Sequence, residues 1–166
     1  MFKKIAAAAA LVIASSSGFA AQPQTVYAGA DVGKSEIKFD GAKSRDTSVG
    51  AFVGYNILAN LAVEAHIRRL GEFNVYGVNV KGEQAGVSVL GSIPLGSGFD
   101  LFGRLGVNRI EAKADAGRGT YSDSSTGAVV GLGLGYAFTP NVSARLELQK
   151  PESDTTNLSV GVAFQF

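Results

Sequence analysis

Seven ionisable residues fall at alternate positions of segments whose other parity is apolar: Asp31, Glu64, His66, Arg68, Arg104, Arg145 and Glu147. Gathered on one face, they could do two kinds of chemistry. They could pair as ions, because a buried charge without a partner is costly. Or a serine, a histidine and a carboxylate could form a proton relay behind a nucleophile. His66 is the only histidine, with Glu64 two residues before it and Ser88 or Ser143 as conceivable partners. The sequence has no Gly-x-Ser-x-Gly elbow, the turn that exposes such a serine. One histidine and no cysteine supply too few ligands for zinc. The run Gly131-x-Gly-x-Gly135 matches a nucleotide loop only superficially, since no helix follows to present its N-terminus to a phosphate. No catalytic residue, cofactor or metal is therefore expected. Ion pairing is the stronger reading, as a salt-bridged plug or as a gate whose pairs exchange partners.

The segments that carry these residues alternate with period two, the signature of strands. Eight of them follow one another: 25–34, 47–57, 61–69, 83–95, 99–113, 127–138, 142–150 and 156–166. In the third, Leu61, Val63, Ala65 and Ile67 alternate with Ala62, Glu64, His66 and Arg68. An even number of strands is what bacterial membrane barrels use.

The connections alternate too. Ala59-Asn60, Gly96-Ser97-Gly98 and Thr139-Pro140-Asn141 are tight turns; residues 40–46, 76–82, 114–125 and 150–155 read as longer polar loops. Short turns at one end and longer loops at the other is the outer-membrane layout, with the turns and both chain ends in the periplasm. The outer loops offer Lys43, Arg45, Lys81, Arg118 and Tyr121 as candidates for surface contacts, with no ligand indicated.

Two faces result, one apolar and one small, polar or charged. In a soluble sandwich the apolar face would point inward. The opposite assignment, apolar face to lipid, rests on several features. The polar face is rich in Gly and Ala, which suits a narrow lumen. Tyr55, Tyr136, Phe138 and Phe164 lie near the tight turns, where an interfacial girdle belongs. An open sheet edge in lipid would leave backbone groups unpaired, so the sheet must close.

The N-terminus indicates export. Lys3 and Lys4 precede an apolar run, 6–14, too short to span a bilayer, and Gly18-Phe19-Ala20 supplies small residues for cleavage after Ala20, with Ala21 as the alternative. Removing residues 1–20 leaves 146 residues, enough for one domain. Setting aside Lys3 and Lys4 leaves 13 basic against 14 acidic residues, a balance that gives no support for nucleic acid as a partner. Glycine contributes 22 of 166 residues, which weighs against helices.

The stretch from Gly131 to Glu147, GLGLGYAFTPNVSARLE, resembles the strand–turn–strand of OmpA-type small outer-membrane barrels. Gly50-Ala-Phe-Val-Gly-Tyr55 is similar to that family's second strand. The ending Val160-Gly-Val-Ala-Phe-Gln-Phe166 looks like the closing strand that the barrel assembly machinery recognises, with Val160, Val162, Phe164 and Phe166 as its signal. The resemblance implies an all-β fold: an eight-stranded antiparallel up-and-down transmembrane barrel in the outer membrane. One departure from the resemblance is that OmpA continues into a peptidoglycan-binding periplasmic domain whereas this sequence stops at the barrel, so cell-wall anchoring is not expected; in architecture it looks more like the OmpX type, with shorter loops.

Four further cations share lipid-facing parity near the outer ends of the first, third, fifth and seventh strands: Lys34, Arg69, Arg109 and Lys150. At that height they would form a basic belt able to bind lipopolysaccharide phosphates by charge-assisted hydrogen bonds. The sequence as a whole reads as a non-enzymatic outer-membrane protein with an envelope-integrity or surface-interaction role. The alternative is a narrow porin for ions or very small solutes, and a lipid-modifying enzyme comes third.

Overall fold

The computed structural model describes residues 21–39, 42–75, 78–115, 120–152 and 155–166, with side chains described outside 37–45, 71–81, 112–123 and 152. The export signal expected over 1–20 lies outside the described residues, as do the side chains of Lys43, Arg45, Lys81, Arg118 and Tyr121.

Eight strands follow in order: β1 (Thr25–Phe39), β2 (Ala42–Leu58), β3 (Leu61–Val75), β4 (Val78–Gly96), β5 (Phe99–Asp115), β6 (Thr120–Ala137), β7 (Val142–Glu152) and β8 (Thr155–Gln165). Each pairs antiparallel with the next, and β8 pairs with β1, so the sheet closes into a barrel. Closure removes both edges, leaving no strand with a row of unpaired N–H and C=O groups.

The strands are longer than the alternation suggests. The ladders continue to Phe39↔Ala42, Val75↔Val78, Asp115↔Thr120 and Glu152↔Thr155. Segments 40–46, 76–82, 114–125 and 150–155 are therefore, over most of their described residues, hairpin extensions rather than loops. The polar composition there marks where the wall leaves hydrocarbon. It does not mark where pairing stops, because backbone hydrogen bonds hold a ladder whatever its side chains. About 9–11 residues of tilted strand cross a bilayer, and β4 has 19.

The three tight turns are where the sequence places them. At the β4–β5 turn, Gly96, Ser97 and Gly98 have φ of 90°, 53° and 84°. Three consecutive residues in the left-handed region require glycine at most positions. Pro94 and Pro151, which have no N–H for a ladder, both stand at register shifts.

The faces are inverted relative to a water-soluble protein. Val32, Ile67, Leu105 and Leu132 are 54, 64, 65 and 59% exposed on the outside, while Glu64, Arg104, Glu147 and Asn157 are buried inside. An apolar exterior round a polar interior suits lipid as the surrounding solvent. At the tight-turn end Phe99 packs on Tyr136 (ring centres 4.6 Å apart) and Tyr136 on Phe138 (5.0 Å), adding Phe99 to the aromatic girdle.

Candidate functional site

The lumen has a simple division of labour. The charged residues come from odd strands: Asp31 on β1, Glu64 and Arg68 on β3, Arg104 on β5, Arg145 and Glu147 on β7. Of the even strands, β2 and β6 present glycine at matching rows, whereas β4 presents Ser88 opposite Glu64 and Gln84 opposite Arg68. Asp31, Gly50 and Arg68 share one cross-strand row; so do Tyr27, Gly54 and Glu64, and Arg104, Gly131 and Gln149. The missing side chain is what lets odd strands touch. A Cβ on Gly50 would lie 2.8 Å from Asp31 Oδ1, one on Gly54 2.1 Å from Tyr27 Cζ, and one on Gly131 2.9 Å from Glu147 Oε1.

Over these saddles runs a continuous network. Glu64 accepts hydrogen bonds from the Tyr27 hydroxyl (2.9 Å), Arg104 Nη2 (2.7 Å) and Arg145 Nη1 (2.7 Å). Glu147 accepts from Arg104 Nε (2.5 Å) and Gln149 Nε2 (2.9 Å). Arg68 donates to Asp31 through Nε and Nη2 (3.1 and 2.9 Å) and through Nη1 to Gln149 (2.8 Å). The Arg145 guanidinium also stacks on Phe52, 3.5 Å from the ring centre. Three guanidinium groups face three carboxylates, so the network is neutral, as buried charge must be. Because β3 and β7 stand opposite each other in an eight-stranded barrel, the Glu64–Arg145 and Arg68–Gln149 contacts span the lumen.

His66 corrects the sequence reading. It is buried on the lumen side, as its parity requires, but neither ring nitrogen has a hydrogen-bond partner in the protein. The ion network therefore has six of the seven expected members, and His66 makes no bond to Glu64, Ser88 or Ser143. Instead it stands with Gln84, Ser88 and Asn108 around Gly86 on the β3–β5 wall. Each of these four side chains has at least one buried polar atom without a protein partner.

Neutral residues carry much of what the sequence did not single out. Tyr27 and Gln149 join the network, Asn56 donates to Thr25 and Gln165 at the tight-turn end, and Asn157 donates to Ser35 and Ser48 at the other. Asp100 lines a vestibule of about 150 Å³ at the tight-turn end, beneath Arg145. All of these residues have lumen-facing parity, Gln149 beside Arg145 and Glu147 and Thr25 beside Tyr27 and Asp31, but an uncharged residue gives no signal that it pairs.

The belt residues Lys34, Arg69, Arg109 and Lys150 all point outward and are exposed. The belt is not purely basic, however. Glu83 stands opposite Arg69 in the β3–β4 ladder, and Glu111 lies 3.5 Å from Arg109. At the closing strand, Val160, Val162, Phe164 and Phe166 also face outward, with the Phe164 and Phe166 rings edge-to-face, their centres 5.0 Å apart.

The fold has counterparts among known proteins. The model of the outer membrane protein β-barrel domain family matches residues 6–166. The chain belongs to that family. Outer membrane protein A of Shigella flexneri is 30% identical over 99% of this chain and 56% of its own length, and that of Salmonella typhi is 31% identical over 99% and 55%. The chain thus spans about half the length of these relatives. Among solved structures, Neisserial surface protein A superimposes with a TM-score of 0.74 at 20% identity, covering 85% of this chain and 97% of that one. The N-terminal β-barrel domain of Pseudomonas aeruginosa OprF gives 0.67 at 19%, covering 87% and 100%. Ail, the attachment invasion locus protein of Yersinia pestis, gives 0.65 at 19%, with the same coverage. At these identities the likeness concerns the fold. The family places this chain among outer-membrane barrels.

Proposed function

We propose that this barrel is a non-enzymatic outer-membrane protein whose lumen is a closed plug and whose work is done by its wall and exposed hairpins, in envelope integrity or surface contact. The observation that carries this reading is the Glu64–Arg145 bridge, 2.7 Å long and spanning the lumen. It is reinforced by Arg104, which binds Glu64 and Glu147 with its side chain fully buried. Long ladders beyond the membrane give surface contact a rigid platform, and a fold relative such as Ail bears attachment in its name. In this reading the tight turns and both chain ends are periplasmic, and the assembly machinery reads Val160, Val162, Phe164 and Phe166 during insertion.

A narrow pore is the second reading, and one observation favours it. Buried polar atoms require partners, and those of the His66, Gln84 and Ser88 side chains, together with Asn108 Oδ1, find none in the protein. Water along that wall would satisfy them and would run beside the plug. Swelling of vesicles containing the refolded barrel, in isotonic solutions of small sugars, tests the choice. A closed plug gives the swelling rate of empty vesicles; sugar-dependent swelling would overturn it.

A further inference from the structure

The outer wall is not evenly studded. Across β2 to β5, one cross-strand row reads Ala51, Ile67, Ala85, Arg109 and the next reads Val53, Ala65, Val87, Val107. The three alanines form a triangle, Ala51 and Ala85 in the first row and Ala65 in the second, and line a shallow depression of about 770 Å³ that reaches Arg109. A second depression, of about 880 Å³, shares Ala51, Ala85 and Arg109 with the first and continues to Arg69, Glu83 and Glu111. A third, of about 580 Å³, shares Ala65 and continues to Tyr55. One furrow thus runs down the lipid-facing wall from a pair of arginines to the aromatic girdle.

We propose that this furrow binds one lipid A unit of outer-leaflet lipopolysaccharide, with an acyl chain laid over Ala51, Ala65 and Ala85 and a phosphate on Arg69 and Arg109. Lipid against a flush apolar wall exchanges freely, whereas a chain lying in a shallow depression also touches the side chains that flank it. A guanidinium fork offers two parallel hydrogen bonds to phosphate oxygens. Glu83 and Glu111 leave the cluster neutral as it stands, so charge alone does not make the site. Arg109 and Glu111 are 60% and 43% exposed, and an exposed pair of that kind holds weakly; a phosphate presenting two oxygens displaces the carboxylate. The site is narrower than a belt, because Lys34 on β1 and Lys150 on β7 lie outside the furrow. It rests on the placement proposed above, with the tight turns in the periplasm.

The test is lipid retained by the full barrel purified from outer membranes in mild detergent, counted per protein by native mass spectrometry. Folding of every variant is verified by heat-modifiable gel migration. Wild type should carry about one lipid A. The variant pair Arg69→Gln, Arg109→Gln should lower retention at least threefold, as should Ala51→Leu, Ala65→Leu, Ala85→Leu, which fills the groove without touching the arginines. Lys34→Gln, Lys150→Gln should leave retention unchanged. Unchanged retention in either of the first two sets overturns the site, and so does an equal loss in the lysine variant, which would mean a diffuse belt. An arginine-dependent glycerophospholipid in place of lipid A would overturn the membrane placement together with the lipid assignment.

Discussion

Glu64 on β3 and Arg145 on β7 bond at 2.7 Å from opposite walls of the barrel. No local feature of either strand requires this contact. It exists because β2 and β6 carry glycine where their side chains would obstruct the lumen, leaving the odd strands to meet in the middle. The cross-lumen contact is thus a property of four strands jointly.

Breaking the network should be expensive, and unequally so. Arg104 binds two carboxylates with no exposure of its side chain. Arg104→Met takes a partner from both: Glu64 keeps Arg145, but Glu147 keeps only Gln149 and an Arg145 Nε 3.9 Å away, and removing one member of a buried ion pair costs about 3–5 kcal/mol. Arg145→Met should cost less, because Arg145 is 11% exposed and Glu64 keeps Arg104. Urea unfolding of the barrel in lipid vesicles measures both, and equal losses would contradict this ranking.

The glycine saddles make a steric prediction. Gly54→Ala places a Cβ 2.1 Å from Tyr27 Cζ, at the hydroxyl end of a rigid ring that Glu64 holds in place. Overpacking of this kind costs about 1–3 kcal/mol. Gly91→Ala meets nothing within 4 Å and should change stability by less than ~0.5 kcal/mol. Adding Tyr27→Ala to Gly54→Ala should recover the steric part of the loss, read from the same urea curves.

How much of this was legible beforehand follows from what period two can carry. Parity alone puts Asp31, Glu64, Arg68, Arg104, Arg145 and Glu147 in the lumen, because a strand cannot turn one side chain without turning all of them. The partners were not legible: that Glu64 meets Arg145, four strands away, depends on the register of every ladder between them. The glycines read as space savers, but only the register shows which charge crosses which glycine. The segments 40–46 and 114–125 were misread because polarity reports the edge of the hydrocarbon and says nothing about hydrogen bonding. Leu70, fully buried at a bulge in β3, and the Glu83 and Glu111 of the belt were passed over for the opposite reason: each departs from the dominant pattern of its face.

The β4–β5 turn should be sensitive to side chains. Gly98 has φ of 84°, and a Cβ there would stand 3.0 Å from the Ala137 carbonyl oxygen. Gly98→Val should cost at least the ~1–2 kcal/mol of a left-handed residue. Ser97→Asn, at φ 53°, should be neutral, since Asn tolerates that region. Refolding yields and urea midpoints of the two variants check the contrast.

The closing strand separates folding from assembly. Phe164 and Phe166 face outward and touch only each other among the described rings. Phe164→Ala, Phe166→Ala should leave spontaneous refolding into thin vesicles nearly intact while lowering the amount inserted in cells several-fold. Equal loss in both settings would make these rings structural and remove their role as an assembly signal.

The central claim is that the Glu64, Arg104 and Arg145 network closes the lumen, and single-channel recording in planar bilayers tests it most directly. The refolded wild-type barrel should be silent, and the Glu64→Ala, Arg104→Ala, Arg145→Ala triple variant should conduct. Reproducible openings of the wild type that the triple variant alters would contradict closure and make this barrel a narrow pore.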